Sequence, residues 1–139
     1  MILDLSKPAH EAAQARLEKE PIAWLTTVNP AGQPQSSPIW FLWDGEEFLI
    51  FGSKSGPKTP NIKANPHVSI HLEGNHKGGD IVTFEGTARI DESAPALADV
   101  ADYLAKYGET IKAFGWTPQS MAKDYPHVIK VVPTKVRVF

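Results

Sequence analysis

The sequence predicts a small, mainly β barrel with peripheral helices. Three observations carry that expectation. Short runs rich in Val, Ile, Phe, Trp and Thr recur along the chain, bounded by Gly, Pro, Asn and Asp clusters, which is the pattern of strands and turns. Several runs are apolar at successive positions, which suits strands with a barrel interior on one face and a cover on the other. Strands and helices do not alternate regularly, which argues against a doubly wound parallel sheet.

In chain order, Ser6 to Lys19 reads as a helix with Ser6 or Asp4 as its cap and Glu20-Pro21 as its stop. "IAWLTTV" (Ile22 to Val28) reads as a strand and "NPAGQP" (Asn29 to Pro34) as a turn. "QSSPIWFLW" (Gln35 to Trp43) is a second strand, and Asp44-Gly45 is a tight hairpin turn into "EFLIFG" (Glu47 to Gly52). A lysine-rich connection follows, in which Thr59-Pro60 opens a short helix through Asn65 that stops at Pro66.

"HVSIHLEG" (His67 to Gly74) and "IVTFEGTARIDE" (Ile81 to Glu92) are strands joined by the polar loop "NHKGGD". In the second of them Val82, Phe84, Gly86, Ala88 and Ile90 share one face. Ser93 to Tyr107 reads as a helix with an apolar stripe of Leu97, Val100, Ala101 and Leu104. Short helices are expected around Glu109 to Phe114 and over Pro118 to Asp124, the latter capped by Thr117. "HVIKVVPTKVRVF" (His127 to Phe139) closes the chain as two strands parted by Pro133.

A length of 139 residues predicts one domain spanning residues 1–139. The formal net charge of -2 supplies no global basic field for nucleic acid or an anionic membrane surface. With no cysteine, disulfides, thiol catalysis and cysteine-ligated metals are excluded. No apolar run approaches the ~20 residues of a membrane span, and "MILDLSKPAHEAAQ" lacks the basic and apolar regions of a signal peptide. The expected location is therefore the cytoplasm.

The stretch "FGSKSGPKTPNIKANP" (Phe51 to Pro66) gathers three lysines beside a helix start. If Thr59 caps that helix, the free amides beyond it favour an anion, and Lys58 stands just before them. Ser53, Lys54 and Ser55 approach from the preceding strand end, so hydroxyls, an ammonium and amides converge as a phosphate pocket requires. The nucleotide-binding P-loop is a poor match. Gly52 and Lys58-Thr59 fit its ends, but Pro57 stands at the required second glycine and has no amide to donate. The residues alone leave a plainer alternative open, a solvated loop whose lysines keep a sheet edge soluble.

"WLTTVNPAGQPQSSPIWFLWDGEEFLIFGSKSGPKTPNIKANPHVSI" resembles the pyridoxamine 5'-phosphate oxidase-like, split β-barrel flavin-binding family. The C-terminal "FGWTPQSMAKDYPHVIKVVPTKVRVF" is similar to the mycobacterial-type branch that uses the deazaflavin coenzyme F420. The resemblance implies a split β-barrel, with Lys58 as the cofactor-phosphate lysine and Asn61 as the polar residue one helical turn later. It implies that Ser36, Ser37, Pro38, Ile39 and Trp40 line the isoalloxazine-type ring, and that Gly52 and Ser53 lie beside the phosphate. Pro57 departs from the pattern, since many flavin mononucleotide (FMN) oxidases of the family carry a second basic residue there; Lys54 is the candidate replacement. The resemblance also implies a homodimer with the cofactor in the interface cleft and a small-molecule substrate.

Other chemistry is sparse. His67, Ser69 and His71 share a strand face without a carboxylate partner, so no metal site is expected. No G-x-S-x-G elbow or carboxylate pair marks a catalytic residue. The four tryptophans suit core, dimer or ring-stacking roles equally. The expected activity is a coenzyme F420-dependent reductase that transfers hydride to a small unsaturated or carbonyl-bearing substrate, with the cofactor carrying the chemistry. The alternatives are an FMN-binding relative of pyridoxamine 5'-phosphate oxidase and a non-catalytic cofactor carrier.

Overall fold

A computed structural model describes residues 1–139. Its seven strands are β1 (Ala23–Val28), β2 (Pro34–Ile39), β3 (Leu42–Trp43), β4 (Phe48–Gly52), β5 (His67–Leu72), β6 (Val82–Ile90) and β7 (His127–Val138). They form one antiparallel sheet in the order β2-β1-β5-β6-β7-β4-β3. Only Trp40 and Phe41 separate β2 from β3, yet these strands occupy opposite edges of the sheet. A two-residue step can join the edges only if the sheet curls until they approach each other, so the sheet is a split barrel.

The inside of the curl holds the larger core, including Leu25, Phe41, Phe48, Ile50, Phe84 and Ile129. Helix α1 (Pro8–Lys19) contributes Ala13 and Leu17 to it. Outside the curl, Phe51 of β4 and Val128 of β7 meet Leu97, Tyr103, Tyr107, Ile111 and Met121 in a second cluster. Those partners come mainly from α3 (Ala101–Ala113) and α4 (Pro118–Asp124). β4 and the first residues of β7, as far as Val131, are thus covered on both faces, as their apolar runs predict. The apolar residues of "PIWFLW" are also covered within the chain: Ile39, Phe41 and Trp43 by the inner core, Trp40 and Leu42 against the outer cluster. No helix is long and apolar enough to cross a membrane.

Four sequence expectations change. α1 begins at Pro8 behind Lys7, with no side-chain cap. The Asp4 carboxylate instead accepts from the Ser6 N–H (3.1 Å) and hydroxyl (2.6 Å), a local turn that competes with capping. The strand predicted from Gln35 to Trp43 breaks at Trp40 and Phe41. There the Phe41 N–H donates to the Tyr107 hydroxyl (2.9 Å) and its carbonyl accepts from Lys106 Nζ (2.9 Å). Side chains from α3 satisfy this backbone where a neighbouring strand otherwise would.

The helix expected over Ser93 to Tyr107 begins late. Ser93 folds back on Asp91, and a 3-10 turn (Leu97–Asp99) intervenes before α3 starts at Ala101. α3 then absorbs the short helix expected near Glu109, and its buried stripe is Tyr103, Tyr107 and Ile111. Finally, β7 is not divided at Pro133. The register slips between Glu85 and Gly86, and Pro133, which lacks an N–H, is accommodated at that irregularity. Gly86 suits the site because a Cβ there would stand 2.7 Å from the Val132 carbonyl oxygen. The α4 expectation holds: the Thr117 hydroxyl accepts from the Ser120 N–H (3.0 Å), and Ser120 Oγ accepts from the Thr117 N–H (3.0 Å).

Candidate functional site

A cavity of about 280 Å³ opens between the end of β2, the end of β4 and the outer helices. Pro38, Ile39 and Trp40 form its strand-side wall. Gly52 and Ser53 at the end of β4 border it, as does Lys58, the first residue of α2 (Lys58–Ala64). Tyr103, Phe114, Trp116, Met121 and Tyr125 face them from α3, α4 and the loop between.

The strand break sets the aromatic wall. Phe41 turns into the inner core, so Trp40 packs the other way and lies parallel to Tyr107 (centroids 4.5 Å apart, 1° between planes). Phe114 continues this stack 6.5 Å from Trp40 and touches Trp116 at 5.0 Å. Phe114 is 57% exposed and Trp116 46%, so the mouth of the cavity presents unusually open aromatic surface. Burial pushes the Tyr103 hydroxyl to a higher pKa, which keeps it neutral.

Lys58 is half-buried, and its ammonium takes part in no ion pair or side-chain hydrogen bond. Burial alone lowers its pKa below the ordinary lysine value. An uncompensated cation against apolar walls favours an arriving anion. A second cavity of about 270 Å³ shares Ser53, Trp116, Met121 and Tyr125 with the first, and Lys54, Ser120 and Asp124 extend it. The two adjoining cavities together reach the range of about 300–1,000 Å³ usual for small-molecule sites.

Of the residues anticipated for the site, Pro38, Ile39, Trp40, Gly52, Ser53 and Lys58 line the main cavity. Ser36 does not; its hydroxyl pairs with that of Thr26 (2.7 Å). Ser37 lies opposite Leu25 of β1, outside the lining. Lys54 borders the neighbouring cavity and reaches Asp124 at 3.4 Å. Asn61 is buried and donates to the Thr27 hydroxyl (3.0 Å) and the Gln35 amide oxygen (2.8 Å). It clasps α2 to the residues of β1 and β2, which fixes where Lys58 stands.

The anticipated cap also changes. Pro57 (φ −76°, ψ −16°) is already helical, so α2 starts at Lys58 and leaves Thr59 inside the first turn. The Thr59 hydroxyl caps nothing, and Pro60, now inside the first turn, has no N–H to add to the free amides there. Sequence reasoning missed Tyr103, Phe114, Trp116, Met121 and Tyr125 as lining residues. The available signal was Phe114-Gly115-Trp116 ahead of a capped helix, since Gly115 (φ +77°) ends α3 and turns both aromatics to one place.

The profile of the pyridoxamine 5'-phosphate oxidase family matches residues 9–139. Among solved structures, an F420 reductase is 28% identical, covering 89% of this chain and 94% of that one, with a TM-score of 0.66. A conserved hypothetical protein of Mycobacterium tuberculosis is 24% identical, with coverage of 93% and 82% and a TM-score of 0.72. HutZ, the heme storage protein of Vibrio cholerae, is 19% identical, with 92% of each chain covered and a TM-score of 0.65. The latter two are likenesses of fold.

Proposed function

This chain belongs to the pyridoxamine 5'-phosphate oxidase family, and from that premise we propose that it is a coenzyme F420-dependent reductase. Its substrate would be a small organic molecule with an activated alkene or a carbonyl group. The observation that carries the reading is Lys58, a half-buried ammonium without a partner at the edge of an aromatic-walled cavity. The residues present fit a phosphate-bearing, planar cofactor. Lys58 and the Ser53 hydroxyl would hold the phosphate; Pro38, Ile39 and Trp40 would flank the ring. When bound, the deazaflavin supplies two electrons as hydride.

The chain's own contribution is binding, orientation and the exclusion of water. Phe114, Trp116 and Met121 line the mouth of the cavity with apolar surface. Desolvation there strengthens the attraction between Lys58 and an anion. No carboxylate or histidine lines the cavity, in keeping with chemistry carried by the cofactor. Two observations favour F420 over FMN: Pro57 leaves no second cation at its position, and the F420 reductase is 28% identical. The reading extends to a homodimer, in which a second copy would cover the exposed rings of Phe114 and Trp116.

Fluorescence titration with F420 and with FMN tests the cofactor, and F420 should bind more tightly. Nanomolar FMN binding without F420 binding overturns the reading. Oxidation of reduced F420 against a panel of activated alkenes separates a reductase from a carrier, because binding without turnover of any substrate favours the carrier. A monomeric mass by light scattering at micromolar concentration counts against the dimer.

A further inference from the structure

The lysine-rich loop borders a third space that the cofactor reading does not use. Lys54, Ser55, Thr59, Lys63 and His127 surround a recess of about 280 Å³, and neither Lys58 nor any aromatic residue of the main cavity lines it. Gly56 and Pro60 complete its lining, and no carboxylate borders it. The Lys63 ammonium and the His127 ring make no ion pair or side-chain hydrogen bond. Lys54 is engaged only by Asp124 at 3.4 Å, with both side chains well exposed, and such a pair is weak and readily exchanged.

Thr59 adds an independent observation. It is 5% exposed, and its hydroxyl is fully buried without a hydrogen-bond partner. A buried hydroxyl in that state is unfavourable and asks for an explanation. Threonine in a helix has two accessible χ1 rotamers, and rotation about that bond turns the hydroxyl to a different side of the residue. As placed, the hydroxyl lies on the side of Gly52, and because Thr59 also lines the recess, a turn to the other rotamer would offer it to a group bound there.

We propose that this recess is a second anion site, separate from the cavity at Lys58, that takes a phosphate-sized dianion. Lys54 and Lys63 supply charge, His127 donates a ring N–H, and the Thr59 hydroxyl completes the set. The shared chemistry is a phosphoryl group, either free phosphate or the head of a phosphate monoester. The inference does not rest on the identity of the cofactor, and the test uses neither F420 nor FMN.

The test is calorimetric titration of the full chain with inorganic phosphate and with methyl phosphate, against potassium chloride of equal ionic strength. Lys58→Ala removes the ammonium of the main cavity, and saturable phosphate binding should survive in it. Adding Lys63→Ala to that background should weaken the remaining binding at least tenfold. Whichever of the two probes binds more tightly identifies the source of the phosphoryl group, and either result supports the site. Thr59→Val removes the hydroxyl with little change of shape, so the variant should melt no lower than the parent without phosphate. With phosphate, its melting temperature should rise less than that of the parent. Absence of saturable binding in Lys58→Ala, indifference to Lys63→Ala, or equal phosphate-induced gains in Thr59→Val and the parent would each overturn the proposal.

Discussion

Lys58 and Lys106 are both half-buried, yet the molecule treats their charges differently. Lys106 Nζ donates to the Phe41 carbonyl (2.9 Å) and stands 3.8 Å from the centroid of the Phe41 ring. Burial lowers its pKa to about 8, with Glu20 opposing the shift. Lys58 is lowered by burial alone, with no partner to offset it. A desolvated charge is tolerated when local acceptors and ring faces receive it. Where they are missing, the charge stays uncompensated, and the proposed function assigns it to an incoming anion. Lys106 therefore belongs to the architecture that breaks the edge strand, and Lys58 to the site that this break creates.

The largest expected effect tests the architectural half. The Tyr107 hydroxyl accepts from the Phe41 N–H and donates to the Pro21 carbonyl (2.8 Å). Tyr107→Phe leaves that buried amide unpartnered and should destabilise the fold by about 1–3 kcal/mol. Because Trp40 stacks on Tyr107, cofactor binding should fall as well. Denaturant melts of the variant check this. A midpoint equal to the parent's would mean that side chains do not hold the strand break.

Comparable in size, but on binding and not on stability, is the effect of Lys58→Ala, which tests the other half. Charge-assisted contacts contribute roughly 1.5–3 kcal/mol, so cofactor affinity should fall about tenfold to a hundredfold. The melting temperature should not fall, since the ammonium has no partner in the fold. Lys63→Ala should leave cofactor affinity near the parent's, because Lys63 borders the other recess. Parent-like binding by Lys58→Ala would assign the lysine to a solvated loop and dissolve the contrast with Lys106.

Much of this architecture was legible in the sequence, because strands alternate or saturate with apolar residues over local windows. The inward face of β6 reads directly from Val82, Phe84, Gly86 and Ala88. The break at Trp40 and Phe41 was not legible. It depends on Tyr107, a residue 66 positions away whose hydroxyl replaces a strand neighbour. The site divides in the same manner. Lys58 and Ser53 lie in a local motif, whereas Tyr103, Phe114 and Trp116 reach the cavity only through helix packing. Asn61 and Ser36 carry the motif's chemistry but spend it on Thr27, Gln35 and Thr26, and local pattern cannot tell a clasp from a ligand contact.

The smallest effect sharpens the comparison through pH. With the folded pKa of Lys106 lowered to about 8 and an ordinary value of 10.5 in the unfolded chain, the burial penalty applies in full below pH 8. Between these two values the unfolded chain binds more protons, so stability rises with pH; above 10.5 the penalty has gone. Lys106→Met keeps the apolar stem against Phe41 and removes the titration. Its melting curve should therefore lack the part of the alkaline rise that the parent shows. Lys58, also lowered, titrates alike in both proteins and drops out of the difference. Melting midpoints of parent and variant should therefore differ most at pH 8 and below and converge as pH rises across that window. Parallel curves would mean that the Phe41 carbonyl and ring fully offset the burial of Lys106, which would make its contrast with Lys58 sharper still.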